Sequence, residues 1–391
     1  MISLLRKWRR HLHQFPELSF CEYETTAYII NQVKDLPGIT IETGKNEIGI
    51  DTGVLVTIGN GRKPIIGLRA DIDALPIQEL NQHSYCSSFD GVMHACGHDG
   101  HTAMLIGAIY RLSELYEKDF LNGTVKCLFQ PAEETEDQFG KTGAQYVLES
   151  SALDDVESII ALHLDPEIPL GEVKLKEGVV MANVDTFQIT VRGTGGHGAY
   201  PEQTIDPIWI SSLMLPALYS MTSRKLSASD PFVCSVCQLN GGTSTNVIPN
   251  TVTLGGTIRT YSDHARMIIS KELKSLVNSF THLGASIEIM VHHGEPALVN
   301  DRDMVAILKE SIQIVYPDMR IHNQTYGMGG EDFSHFAQVI PGAMMFLGAG
   351  IIDVNTSLHQ ASFDFDEQSL VYGMETLVHS VLLRLRGDQH A

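Results

Sequence analysis

Short apolar runs at 52–58, 64–70, 123–129 and 157–163 alternate with helical patterns through the first 180 residues. That rhythm restricts the chain to an α/β layer on a largely buried sheet. Residues 4–14 and 23–35 read as helices, and 101–117 carries Ala103, Leu105, Ile106, Ile109 and Leu112 at helical spacing. The middle of the chain changes character. Residues 185–193 alternate like a half-exposed strand, followed by a helix over about 204–222 and strands at 231–239 and 251–261. A helix over about 263–283 and a strand at 285–292 complete a β-α-β-β-α-β order, the ferredoxin-like split pattern that closes on itself as a two-layer unit. The tail resumes α/β character, with helices near 303–316, 331–339 and 365–386 and a strand at 343–348. The expected organisation is one discontinuous α/β domain, 1–180 plus 295–391, interrupted by an inserted sandwich, 181–294.

Composition narrows the function. The 391 residues hold 27 Lys and Arg against 47 Asp and Glu, a formal charge of −20. Nucleic acid and anionic membranes need a positive footprint, so neither is an expected partner. No apolar run approaches the roughly 18 residues that cross a bilayer. Charges at Arg6, Lys7, Arg9 and Arg10 interrupt the stretch where a signal peptide would need apolar continuity, so a cytoplasmic location is expected. Six cysteines are too few to staple a chain of this length, and a special cysteine here is more readily a ligand or nucleophile than a bridge.

Polar residues collect just past the buried strands. Asp71 and Asp73 follow one run, Glu133 and Glu134 another, and His163 closes a third. Sites in open α/β sheets form beyond the carboxyl ends of strands, so these segments are expected to converge. A denser cluster, Met93-His-Ala-Cys-Gly-His-Asp-Gly-His101, precedes a helix, and His359 is a further candidate. Thiolate, imidazole and carboxylate together suit zinc or another divalent transition ion. Cys96 and His98 are offset by two, with Gly97 allowing a tight turn, and Asp99 can orient a histidine ring. Adjacent Glu133 and Glu134 point differently, so one can ligate while its neighbour serves as a general base. The blander readings are a structural histidine at His163 and a solvated helix start at Glu133–Glu134. The Cys234-x-x-Cys237 pair lies inside a strand, where an offset of three puts the thiols on opposite faces, so both read as small core residues. His292 and His293 end a strand and are expected to face solvent.

Eight blocks make the chain recognisable: RRHLHQFPELSFCEYET (9–25), GLRADIDALPI (67–77), MHACGHDGHTAMLIGA (93–108), FQPAEET (129–135), GTGGHGAYP (193–201), GGTSTNVIPN (241–250), GGEDFS (329–334) and LHQASFDFDE (358–367). In that order they resemble the aminoacylase, hippurate hydrolase and auxin-conjugate amidohydrolase family of two-metal hydrolases. The resemblance implies a zinc-peptidase-like three-layer α/β catalytic domain with an inserted ferredoxin-like α+β lid used for dimerisation. It implies two divalent ions per subunit, zinc or manganese with cobalt or nickel as further options, held by Cys96, His98, Glu134, His163 and His359. Glu133 corresponds to the general base. His197 corresponds to a residue that reaches the reacting carbonyl, in relatives from the partner subunit. Asn246 and Arg259 correspond to substrate-binding positions, and Asp73 to an aspartate behind a ligand.

The implied reaction is hydrolysis of the amide bond of an N-acyl amino acid. The alternative on the same centre is a dipeptidase or aminopeptidase. The chain departs from the pattern at Gln360 and Ala361, where many relatives carry histidine and proline, and at TEDQFG (135–140), where a glycine run is common. A non-catalytic binding protein has no use for Glu133, and a nucleotide-binding protein would need a phosphate loop that the chain lacks.

Overall fold

The strand Ile65–Asp71 is buried at every position, as a strand covered on both faces must be. In the computed structural model, which describes residues 1–227 and 230–386, it lies near the centre of an eight-stranded sheet. The order across that sheet is Ile39–Thr43, Val54–Ile58, Thr124–Gln130, Ile65–Asp71, Ser158–Pro169, Gly342–Gly350, Glu172–Lys174 and Arg320–His322. The four central strands are parallel, and Val54–Ile58 is antiparallel to its neighbour. Helices Ile2–Gln14, His98–Glu117, Arg302–Val315 and Ser369–Arg386 contribute Leu5, Leu105, Ile109, Leu308, Leu377 and Val381 to one continuous core with the sheet. At Gly373 a Cβ would overlap Met104 Sδ, so glycine permits the close approach of two of these helices. This first unit comprises Met1–Gly178, Val299–Thr325 and the chain from Asp332.

The second unit comprises Val179–Leu298 with Tyr326–Glu331. Its four-stranded antiparallel sheet has the order Phe232–Gly241, Thr251–Thr260, Asn183–Arg192 and Ser286–His293, with helices Pro207–Lys225 and Asp263–Ser279. That is the ferredoxin-like arrangement. Burial alternates along Asn183–Arg192, where Phe187, Ile189 and Val191 face a core that also holds Ile210, Leu218, Ile269 and Leu273. Tyr326–Glu331 belongs here rather than with the α/β unit. Tyr326 N–H donates to Val180 O (2.8 Å), and the Tyr261 hydroxyl donates to Gly327 O (3.0 Å).

Three local readings are corrected. The helix expected from residue 101 begins at His98, because Gly97 takes the left-handed conformation (φ 88°) and turns the chain into it. His163 does not close its strand, which runs on to Pro169 along Gly342–Gly350. Cys237 is exposed rather than a core residue, because the ladder shifts register between Val236 and Gln238. His292 and His293 are exposed, as expected. Among the described residues, no helix is long and apolar enough to cross a membrane.

Candidate functional site

Four segments of the first unit deliver the implied ligands to one place. Gly97 separates Cys96 from His98, which opens the helix His98–Glu117. Glu133 and Glu134 follow the strand Thr124–Gln130 through Ala132, a non-glycine residue at φ 53°. His163 lies on Ser158–Pro169, just past Ala161, the last residue paired with Ile65–Asp71. His359 is also held at positive φ (62°), with its N–H donating to Ala95 O at 2.8 Å. Left-handed backbone at two non-glycine positions is costly and persists where the surroundings impose it.

The donor atoms converge. Cys96 Sγ is 3.5 Å from His163 Nε2 and 3.3 Å from His359 Nε2. Glu134 Oε1 is 3.4 Å from His359 Nε2 and 3.8 Å from His98 Nε2. Three overlapping sets, Cys96–His98–His163, Cys96–Glu134–His359 and His98–Glu133–Glu134, each bring their ligand atoms within 4.8 Å. A tetrahedral zinc-type site separates its donors by about 3.3–3.6 Å, as follows from metal–N distances near 2.05 Å and metal–S near 2.3 Å.

Ring orientation shows which atoms face the centre. His98 Nδ1 donates to Asp73 O (2.9 Å) and lies 3.2 Å from Asp73 Oδ1. His163 Nδ1 donates to Leu164 O (2.7 Å). Each bond fixes a tautomer that turns the Nε2 lone pair inward. His98 Nε2 and Glu134 Oε1 are buried and make no hydrogen bond among the described residues. The surroundings demand positive charge. Burial opposes a charged His98, yet Asp71 and Asp73 push its pKa up to about 10. Burial, then the Glu134, Glu133 and Asp71 carboxylates, hold the Cys96 thiol well above its ordinary value. Divalent ions answer both demands and fit this donor set.

A buried frame stands behind the donors. Asp73 Oδ2 accepts from the Ser19 hydroxyl (2.7 Å) and from Glu134 N–H (3.0 Å). Glu22 accepts from Ala132 N–H and the Thr52 hydroxyl, both at 2.8 Å, and burial followed by the Asp73 charge pushes its carboxyl up to about 7. His101 donates from Nδ1 to Asp71 Oδ1 (2.6 Å) and accepts Leu164 N–H at Nε2 (2.8 Å). Arg69 ties Asp71 (2.6 Å) to Asp332 (2.7 Å). Glu22, Arg69 and Asp332 lie inside the blocks 9–25, 67–77 and 329–334 but carry no predicted role, because what they do depends on partners distant in sequence.

Asp99 departs from its expected role. Next to His98 on a helix, it points to a different side, where Oδ2 accepts from Arg9 Nε and His13 Nδ1, both at 2.8 Å. It orients His13, not a ligand of the cluster. In the second unit, His197 is exposed on the short strand Gly196–His197, opposite Val247. Asn246 is exposed beside it, its carbonyl accepting Gly198 N–H at 2.8 Å. Arg259 lies on Thr251–Thr260, half-buried, with Nε donating to the Thr257 hydroxyl (2.9 Å).

The chain resembles known proteins over nearly its whole length. A family model described as peptidase family M20/M25/M40 matches residues 67–383. N-acetyl-L-cysteine deacetylase of Bacillus subtilis (strain 168) is 37% identical over 385 residues, covering 98% of this chain and 88% of that protein. Thermostable carboxypeptidase 1 of Saccharolobus solfataricus is 35% identical over 383 residues, covering 96% and 93%. The crystal structure of the Bacillus subtilis YXEP protein, described as a dinuclear metal binding peptidase from the M20 family, superposes with a TM-score of 0.84. It is 32% identical, covering 99% of this chain and 98% of that one.

Proposed function

Because this chain belongs to the peptidase family M20/M25/M40, a family of metal-dependent amide hydrolases, we propose that it cleaves N-acyl amino acids to a carboxylic acid and a free amino acid. The observation that carries the reading is the paired orientation of His98 and His163. Each ring donates from Nδ1 to a main-chain carbonyl, so both Nε2 atoms face Cys96, Glu134 and His359. Cys96, His98, Glu134, His163 and His359 would hold two divalent ions. Cys96, His98 and Glu134 each occur in two of these three donor sets, which favours two adjacent positions. Zinc suits thiolate with imidazole best, and manganese, cobalt and nickel also suit the set.

Bound ions supply a Lewis acid that polarises the amide carbonyl and lowers the pKa of water. Glu133 does the proton work. It accepts a proton from the attacking water and passes it to the leaving amine nitrogen, so the carboxylate is regenerated each turnover. Asp73 steadies both sides of the centre, through the His98 ring and the Glu134 amide. His197 is proposed to donate to the oxyanion, a contribution commonly worth about 3–4 kcal/mol. Arg259 is proposed to bind the substrate carboxylate, for which its planar fork is suited, with Asn246 as a further substrate contact.

A homodimer through the second unit is part of the reading. Helix Pro207–Lys225 exposes Ile208, Trp209, Leu213 and Tyr219, and the edge strand Phe232–Gly241 exposes Val233 and Leu239. An open sheet edge beside exposed aromatic residues suits a second copy of the chain. A cytoplasmic location is also proposed, since all six cysteines are unpaired and a reducing compartment suits them.

A metal-reconstituted screen of N-acetyl and N-benzoyl amino acids beside unblocked dipeptides, read by release of amine, tests the proposal. Turnover restricted to the N-acyl substrates is expected. Turnover restricted to unblocked dipeptides would establish the peptidase reading, which the similarity to a carboxypeptidase favours. Glu133→Gln is expected to retain the ions and lose turnover, and near-normal turnover would remove Glu133 from its role.

A further inference from the structure

A second constellation lies in the first unit, away from the five donors. It joins helix Ile2–Gln14 to the loop that follows Ile77. Glu79 Oε1 is 3.2 Å from His13 Nε2 and 3.6 Å from His83 Nε2, and each of the three residues offers a ligand atom within 4.8 Å of the others. The His13 side chain is wholly buried, Glu79 is 4% exposed and His83 is 20% exposed. His83 Nε2 is itself buried and makes no hydrogen bond among the described residues.

Orientation again argues for lone pairs directed inward. His13 Nδ1 donates to Asp99 Oδ2 (2.8 Å), and Asp99 is anchored by Arg9 (2.8 Å). This is the carboxylate–histidine pairing that stands behind metal-bound imidazoles. The Tyr85 ring stacks on His83 at 3.8 Å with an interplanar angle of 14°, which fixes the His83 plane. Cys86 Sγ is 3.3 Å from His83 Nδ1 and donates to the Asn81 or His83 carbonyl. His83 Nδ1 donating to that sulfur leaves Nε2 with its lone pair toward Glu79. The second Glu79 oxygen accepts Ser87 N–H at 2.6 Å, so the carboxylate is also held in place. Two imidazole nitrogens and a carboxylate oxygen, spaced 3.2 and 3.6 Å about that oxygen, match the edges of a tetrahedron around a zinc-type ion, about 3.3 Å.

We propose that His13, Glu79 and His83 form an additional, structural site for a divalent transition ion of the zinc type, which clamps the loop 79–87 onto helix Ile2–Gln14. Water completes the coordination on the His83 side, where the group reaches solvent. The competing occupant is a proton. His13 as an imidazolium between Asp99 and Glu79 would satisfy those two carboxylates, but it leaves His83 Nε2 without a partner.

The test is ion counting on the full chain, stripped with a chelator and dialysed against zinc alone at a concentration that saturates the wild type. The wild type is expected to hold one more ion per chain than His83→Ala and than Glu79→Gln, with circular dichroism unchanged in both variants. That difference does not depend on how many ions the Cys96 cluster holds, so it stands or falls separately from the proposed hydrolase centre. Equal counts in all three chains would overturn the proposal and leave His13 as a protonated structural residue. Should His83→Ala misfold, His83→Gln keeps the volume and is expected to show the same loss of one ion.

Discussion

Replacing His101 with alanine tests whether the frame behind the centre is built as described. His101 is 2% exposed, and both ring nitrogens are engaged, Nδ1 with Asp71 Oδ1 at 2.6 Å and Nε2 with Leu164 N–H at 2.8 Å. Burial pushes its pKa down to about 4, so it acts as a neutral ring. The variant leaves Leu164 N–H buried without an acceptor, a loss of about 1–3 kcal/mol, and deprives a buried carboxylate of a bond worth about 1.5–3 kcal/mol. Together His101→Ala should cost about 3–5 kcal/mol. With a urea slope of about 3 kcal/mol per molar, the midpoint should fall by roughly 1–2 M. The loss should also reach the centre, because Leu164 follows His163 and holds its ring through the main-chain carbonyl (2.7 Å). Urea unfolding followed by tryptophan fluorescence reads the stability through Trp8, which packs in the core of this unit. A midpoint shift under roughly 0.3 M would refute the reasoning, since neither bond could then matter as argued.

Arg9→Leu should destabilise by about 3–5 kcal/mol in the same unfolding measurement, because the wholly buried guanidinium binds Asp99 and Asp364 and its loss leaves the buried Asp99 charge without its ion-pair partner, held by His13. Asp73→Ala keeps the carbonyl that holds His98 but removes the carboxylate 3.2 Å from that ring and the acceptor of the Glu134 amide, so metal binding should weaken about 10-fold in a competition titration while every proposed ligand remains. His94 is buried, neither ring nitrogen has a hydrogen-bond partner, and burial lowers its pKa from 6.5 to about 4. A depressed histidine favours the folded state above pH 6.5, and that advantage is lost as pH falls through about 4, so His94→Leu should flatten the acid limb of a stability–pH profile by up to about 3 kcal/mol.

The fold was legible where burial follows a period. The all-buried strand Ile65–Asp71 and the alternating strand Asn183–Arg192 both announce themselves in the hydrophobic pattern. What the pattern could not carry is backbone conformation at single residues. Gly97 read as a turn, but its left-handed φ also starts the helix three residues earlier, placing His98 and His101 on consecutive turns instead of in a loop. The register shift beside Cys237 likewise left no mark in composition. Long-range electrostatics was less visible still. Arg9 sits on an amphipathic helix and would pass for a solvated charge, yet its partners lie 90, 355 and 358 residues away. Asp99 misled for the same reason, since adjacency to a ligand in sequence says nothing about which helix face a side chain takes.

The centre's supports show how the fold bears the cost of assembling it. His98 is steered by Asp73 O, His163 by Leu164 O, His359 by its own N–H to Ala95 O, and Glu134 by its own N–H to Asp73. In three of the four the acceptor is a main-chain carbonyl, and none of the four bonds runs between two donors of the cluster. Their positions are therefore set by the strand ends and turns, not by one another. A cage assembled this way loses little conformational freedom when ions enter, so more of the coordination energy remains as affinity. The same rigidity prevents the carboxylates and the thiol from relaxing apart, and burial followed by the Glu134 and Glu133 charges holds the Cys96 thiol above its ordinary value. Ion binding relieves that crowding, and ions that bind only the folded chain stabilise it in proportion to their concentration. On the proposed ligand set, stability and activity in this unit would be coupled through the same five side chains.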